Sequence, residues 1–378
     1  MKHTIYALTM FALAACTSPQ EEAIDRHALV TRNNPEVTAM DSLSSLSVGN
    51  GEFAYTVDAT GLQTFPEVYK NGVPLGTQSQ WGWHSFGNPE NYKPEEALVE
   101  YDFGHGHKEL YATQPKEPGR AKEASDWYRV NPHRLHLGII GLELENEVRP
   151  SDVQNIQQSL DMWNGIINSR FTLKETPYHI QTVCHPERDM IAARLSAQQP
   201  AGIKFHFPYP TGGHCDDACN WEANDKHSTT LVSEDAQSAV LKRTLDATTY
   251  YVTISWEGAA KLREKSANYF VLTPTDSVFT FTCQFTPQAS ASPILTFAEV
   301  QQASSGHWQN YWTQGAVADF SQCTDVRAKE LERRVVLSQY LLAIQCAGST
   351  PPQETGLTYN SWFGKFHLEM IWWHQAQF

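Results

Sequence analysis

Period-two alternation of apolar and polar residues, in short segments broken by Gly, Pro, Asn and Asp, constrains this chain more than any other feature. Tyr250, Val252, Ile254 and Trp256 fall on one face of an extended segment, against Tyr251, Thr253 and Ser255 on the other. Phe279, Phe281, Cys283 and Phe285 repeat the pattern against Thr280, Thr282 and Gln284, and Ile203, Phe205 and Phe207 against Lys204 and His206. Each such segment buries one face only. Many of them at short spacing, without helices between them, predict a large antiparallel sandwich and argue against a parallel βαβ fold. The material for its core is present: 41% of the 378 residues are apolar, with 11 Trp, 15 Tyr and 17 Phe, and only 19% are charged. That composition excludes general disorder and a coiled coil. A formal charge of −14 argues against nucleic acid as a partner.

The character changes after Pro293. Residues 298–314 carry helix-compatible spacing, and Thr324 is placed to cap a helix running to about Cys346. The first half of that helix is charged and the second apolar nearly all round, as expected of a helix entering a core. Gly348 stands where its end would be capped, and Pro351 and Pro352 stop it. The resulting division is 1–15 leader, 16–34 polar tether, 35–297 sandwich, 298–323 linker helix region and 324–378 a second, helical unit.

At the N-terminus, Lys2 precedes an apolar run from Thr4 to Ala15, too short to span a bilayer and of signal-peptide length. Leu13-Ala14-Ala15-Cys16 resembles a bacterial lipobox, which implies lipidation of Cys16 and an exported, membrane-anchored protein, periplasmic or at the cell surface. Six other cysteines remain, an even number compatible with disulfides in an oxidising compartment. His214-Cys215-Asp216-Asp217-Ala218-Cys219 has no second cluster to complete a four-ligand metal site, so a loop disulfide or two thiols is expected there and no metal. No Walker or dinucleotide glycine motif appears, and no cofactor is implied.

The chemistry concentrates between residues 362 and 374, where Trp362, Lys365, His367, Glu369, Trp372, Trp373 and His374 lie close in sequence. Aromatic faces pack on the C–H face of a pyranose, while carboxylate, ammonium and imidazole groups hydrogen-bond its hydroxyls. Were the chain helical from Lys365, that residue, Glu369 and Trp372 or Trp373 would share a face. The alternative is a core Trp pair beside an ordinary i, i+4 ion pair.

These residues carry a resemblance. GLTYNSWFGKFHLE, with His307-Trp308 and Tyr311-Trp312 upstream and SVGNGEFAYTVD (Ser47–Asp58) near the start, resembles glycoside hydrolase family 65 and related six-hairpin glycosidases. The family motif runs G-L-[ST]-G-E-x-Y-x-G-H-x-F-W-D. Gly356, Leu357, Thr358 and Gly364 match it, and Trp362 stands for its Tyr, Lys365 for its His, Leu368 for its Trp and Glu369 for its sugar-binding Asp. The resemblance implies a β super-sandwich followed by linker helices and the first helices of an (α/α)6 barrel. It also implies an inverting glycoside hydrolase acting on an oligosaccharide or glycoside. Trp362, Lys365, His367, Glu369 and Trp373 would contact the sugar. No catalytic residue is expected within the chain, because the family's general acid lies on a later part of the barrel, beyond Phe378. The fragment alone is then expected to be inactive. Lys365 and Glu369 change length and charge relative to the family, so phosphorylase chemistry does not carry over. The rivals are a non-catalytic carbohydrate-binding surface lipoprotein or the remnant of a decayed glycosidase gene, and a purely structural surface protein.

Elsewhere, Trp81, Trp83, His84 and Tyr92 form an aromatic loop, expected to pack locally rather than to face substrate. His105 and His107 flank Gly106 in a solvated turn. Cys184 and His185, adjacent on a strand, point to opposite faces and cannot act as a nucleophile–base pair.

Overall fold

The computed structural model describes residues 24–290 and 293–374, and the leader, Cys16 and the start of the tether lie outside them. The architecture is mainly β and antiparallel throughout. Nine strands form one sheet in the order Glu36–Val37, Val153–Asp161, Ile166–Leu173, Thr176–Cys184, Met190–Ser196, Val278–Thr286, Thr248–Glu257, Ser238–Leu245 and His227–Glu234. Against it lie a four-stranded sheet (Ala260–Ser266, Tyr269–Pro274, Gly202–His206, Ile139–Glu143) and a three-stranded one (Leu46–Gly49, Phe53–Val57, Thr77–Ser79).

The alternation predicted from sequence sets what faces inward. Tyr250, Val252, Ile254 and Trp256 are buried, as are Phe279, Phe281, Cys283 and Phe285, and Ile203, Phe205 and Phe207. Phe205 of the four-stranded sheet meets Phe281 of the nine-stranded sheet edge to face at 6.1 Å, and Phe53 of the three-stranded sheet stacks on Phe285 at 5.9 Å. Aromatic pairs thus join all three sheets. Cys184, Cys215, Cys219, Cys283 and Cys323 are free thiols, with Cys184 and Cys283 within the core.

The expectation of strands alone before residue 297 fails at the single-turn helix Pro66–Tyr69 and, more substantially, further along the chain. Residues Arg120–Val130 form a helix. RAKEASDWYRV is rich in good helix formers and carries a Lys122–Asp126 pair at i, i+4, which outweighs the absence of a side-chain N-cap. Beside it the hairpin Leu98–Asp102/Lys108–Ala112 projects into solvent, with His105 and His107 in its turn and Tyr101, Phe103 and Tyr111 exposed.

The first C-terminal helix, Phe297–Thr313, starts with a capping box in which Thr296 and Glu299 exchange hydrogen bonds. Trp312 Nε1 donates to the Met162 carbonyl at 2.7 Å, and Trp308 lies over Gly165, where an added Cβ would come within 2.1 Å of its ring. Trp308 also packs on Tyr340 at 4.5 Å, which fixes the next helix.

That helix runs Ala328–Gln345 with Arg327 at its N-cap position, three residues after the expected cap at Thr324. Asp325 uses its carboxylate on the backbone N–H and side chain of Arg327, folding a local turn where a Thr324 cap was expected. Nor is the helix buried all round. A single stripe, Ala328, Glu332, Val336, Tyr340 and Ile344, is buried. Glu332 is held there by Arg32 at 2.8 Å, Asn33 at 2.8 Å and the Phe320 N–H at 2.7 Å. The last carbonyls go to other segments rather than to Gly348: Gly51 N–H bonds Ile344 O at 2.9 Å and Leu357 N–H bonds Gln345 O at 3.3 Å. A groove of about 760 Å³ remains between this helix and Tyr311, Trp312 and Val317.

Burial of several histidines makes the fold acid-sensitive. Desolvation is the leading cause that pushes His133, His206 and His227 each down to about 4, and His84 and His136 are lowered for the same reason. Below about 6.5 the unfolded chain takes up protons that the folded one refuses until near 4, so stability is complete above that window and lost within it. Asp189, raised to about 6 by burial, and Asp58, raised likewise, act in the opposite sense but are fewer. The urea midpoint is expected to fall steeply between pH 7 and pH 4.5. A midpoint flat across that range would contradict the burial of these rings.

Candidate functional site

Pro351 and Pro352 end the helical region, and an antiparallel bridge between Gln353 and Phe366 closes the intervening chain into a loop. Gln353 is its internal hub. Its amide donates to the carbonyls of Gly356 and Tyr359, and its Oε1 accepts from Arg134 Nε at 3.2 Å.

At the tip, Trp362, Phe363 and Gly364 take consecutive left-handed conformations, with φ of 47°, 61° and 72°. For a bulky side chain this conformation costs on the order of 1–3 kcal/mol and persists only when the surroundings over-determine it. Here they do. Gly364 could not carry a side chain, since a Cβ would lie 2.4 Å from Cβ of Arg134. His214 lies against Trp362 at 4.7 Å and Phe363 at 5.2 Å, and its Nδ1 accepts from the Trp362 N–H at 3.4 Å. Asn360 Nδ2 donates to the carbonyls of Gly213 and Asp216, and Tyr359 donates to that of Cys215. The loop 213–216 and the tip are thus one packed unit. Phe363 is buried by it, while Trp362 stays 37% exposed.

Trp362 is the centre of a polar ring. The guanidinium of Arg129 lies 5.3 Å from its centroid and the His367 imidazole 5.5 Å. His367 Nδ1 is 4.0 Å from Glu354 Oε1 and 3.9 Å from Glu369 Oε1, and the other oxygen of Glu354 accepts from Ser361 Oγ at 3.0 Å. Cys215 Sγ sits at the rim, 2.8 Å from His214 Nδ1 and 3.5 Å from Ser361 Oγ. A partly exposed indole with carboxylate, imidazole, hydroxyl and guanidinium groups around it can stack on a ring and hydrogen-bond its substituents. Among the described residues no three His, Cys, Asp or Glu side chains gather as metal ligands.

Of the five sugar contacts expected from sequence, Trp362, His367 and Glu369 come together. Lys365 is engaged elsewhere. Its Nζ donates to the carbonyls of Tyr128, Arg129 and Asn131 at 3.2, 2.7 and 3.3 Å, capping the Arg120–Val130 helix, and burial followed by the Arg129 charge lowers its pKa. The chain is not helical from Lys365. Residue 365 is extended because it abuts the bridge at Phe366, and only a single turn at Leu368–Met370 and the short helix Ile371–His374 follow. The shared helical face and the Lys365–Glu369 pair therefore do not exist. Trp373, on that short helix, is exposed. Glu354, Arg129 and Arg134 are the members that sequence reasoning missed, while Ser361 lies in the quoted motif without a role and His214 is weighed there only as a metal ligand. The polar stretch around Glu354, just before the recognised motif, was a local signal for the first.

The aromatic loop of the sandwich packs as expected. Trp81 donates to Asp189 at 2.6 Å, Trp83 lies under Arg134 at 3.9 Å, and His84 bridges Asp246 and His133 at 2.8 and 3.0 Å.

The sequence matches no protein-family model and no curated protein. Among the solved structures that align with it are the following three. A protein assigned as a kojibiose phosphorylase from the human microbiome aligns with 84% of this chain and 42% of its own, at 10% identity and a TM-score of 0.45. A bacterial glucoamylase complexed with acarbose aligns over 87% and 46%, at 8% identity and a TM-score of 0.41. A family GH92 α-mannosidase from Bacteroides thetaiotaomicron aligns over 84% and 41%, at 9% identity and a TM-score of 0.32. The chain spans less than half the length of each. At identities this low, what those proteins bind says nothing of what this one binds.

Arg134→Met strips donors from the carbonyls of Ser79 and Gln80 and from Gln353, and should cost about 2–4 kcal/mol in urea unfolding. Limited proteolysis should then cut first within residues 347–374. Cleavage unchanged in rate and position would show that the loop is held by something else.

Proposed function

We propose that this chain is the N-terminal, substrate-facing portion of an inverting glycoside hydrolase that acts on an oligosaccharide or glycoside. In this reading the antiparallel sandwich and the helices Phe297–Thr313 and Ala328–Gln345 are the support and barrel entrance. Trp362, His367 and Glu369, joined by Glu354, contact the sugar, and Lys365 fixes their loop. Inversion requires a proton donor and a base on opposite faces of the sugar, with carboxyl groups roughly 6.5–9.5 Å apart. Glu354 and Glu369 both approach the same imidazole, and the reading gives them binding roles, with proton transfer assigned to residues outside these 378. In the same reading the lipobox-like Leu13–Cys16 supports export and anchoring through Cys16, the partner is a carbohydrate, and no cofactor is invoked.

The observation that carries the reading is Trp362: an aromatic side chain held in a strained backbone conformation, with its ring partly open to solvent and hydrogen-bonding groups on its perimeter. Core packing does not account for an exposed ring, whereas a stacking platform for a pyranose does.

Calorimetry of the chain against a panel of oligosaccharides should detect binding that Trp362→Ala weakens by about tenfold or more and Glu369→Ala by less. The same chain should release no reducing sugar from any ligand it binds. Turnover would place the proton donor among these residues, and binding without dependence on Trp362 would remove the site assignment.

A further inference from the structure

The cations of this corner lack the partners that buried cations ordinarily have. Arg129, Arg134 and Lys365 gather around the Trp362 loop, yet among the described residues none makes an ion pair with a carboxylate. Arg134 is buried, and its N–H groups go to the carbonyls of Ser79, Gln80 and Gly364 and to Gln353. Lys365 is spent on three carbonyls at the helix end. Carbonyl dipoles satisfy these donors but leave the formal charges uncancelled. Buried charges are normally paired; Arg134 is buried and Arg129 and Lys365 are half-buried, so their gathering without a carboxylate partner is a functional signal. In a chain of net charge −14 it is also contrary to the composition.

Arg129 differs from the other two in having capacity left. Its Nη1 bonds Gln114 Oε1 at 3.1 Å, whereas its Nε is shielded from solvent and has no partner. Two further atoms of the same corner are likewise shielded and unpartnered, His367 Nδ1 and Oδ1 of the buried Asn360. Few groups in a folded protein are left so, because each costs about 1–3 kcal/mol. The carboxylates Glu354 and Glu369 belong to the His367 part of the ring, and the cations to the helix Arg120–Val130 and the strand residue Arg134. Burial first, and the neighbouring Arg129 charge second, lower the pKa of Lys365, so the two cations lie close enough to act on each other.

Resting on the carbohydrate reading above, we propose that the sugar bound at Trp362 is an acidic one, whose ring stacks on the indole and whose carboxylate is engaged by Arg129. A planar carboxylate matches the fork of a guanidinium, and the unpaired charges would favour an anion over a neutral hydroxymethyl group at that position.

Calorimetry of the full chain with uronate-containing oligosaccharides, oligogalacturonate and oligoguluronate among them, against neutral glucans of matched length tests this. The expected result is a preference for the uronates of about tenfold or more. That preference should shrink as salt is raised, be abolished by Arg129→Gln and be partly restored by Arg129→Lys. Arg129→Gln should keep the wild-type urea midpoint and the wild-type resistance of residues 347–374 to limited proteolysis, which separates lost recognition from a loosened loop. Neutral glycans binding as well as uronates, or a uronate preference that survives Arg129→Gln, would overturn the proposal while leaving the carbohydrate reading intact. Binding of no member of the panel would end both.

Discussion

A buried guanidinium with no carboxylate partner, Arg134, is what the site depends on. It lies over the Trp83 ring, gives one nitrogen to two carbonyls at the end of the strand Thr77–Ser79, and reaches Gln353 and Gly364 some 220 residues further along the chain. Burial lowers its pKa to about 9, so it stays cationic at neutral pH, and its charge is solvated by carbonyl dipoles alone. A lysine could not make these bonds at once, because the geometry uses the planar fork. Without Arg134 the loop from Gln353 to Phe366 would lose its tie to the sandwich, and the left-handed run at Trp362 its support.

The site is accordingly built from both parts of the chain. The sandwich supplies His214, Arg129 and Arg134, and the C-terminal segment supplies Trp362, Glu354, His367 and Glu369. Lys365 couples the two by capping the Arg120–Val130 helix. Strain, unpartnered polar atoms and uncompensated cations all coincide at this corner, and each is a cost that packing alone would not retain. Their coincidence is more informative than any one of them.

The sheets were legible in the sequence because alternation is a local signal. The inward faces at 250–256, 279–285 and 203–207 follow from the order of residues alone. The helix Phe297–Thr313 was legible within a residue at each end for the same reason. Much of what was not legible depends on contacts across more than a hundred positions. Lys365 looked like half of an i, i+4 pair with Glu369, but three carbonyls more than 230 residues earlier took its ammonium. Nothing local predicts two aromatics with positive φ, since their intrinsic preference is against it. At Thr324 the local competition went to Asp325, whose carboxylate reaches its own downstream backbone first. Trp362, His367 and Glu369 were found because they lie within eight residues of one another, whereas Arg129 and the site role of His214 were missed because only folding brings those residues near.

The central claim is that a preorganised loop around Trp362, clamped by the sandwich, is where this protein meets a saccharide. Hydrogen–deuterium exchange of the chain with and without a bound oligosaccharide tests it most directly. Added protection should be confined to residues 353–370, 212–216 and the end of the Arg120–Val130 helix. Protection falling instead on the exposed hairpin at 98–112 or on the groove beside Tyr311 would contradict the account.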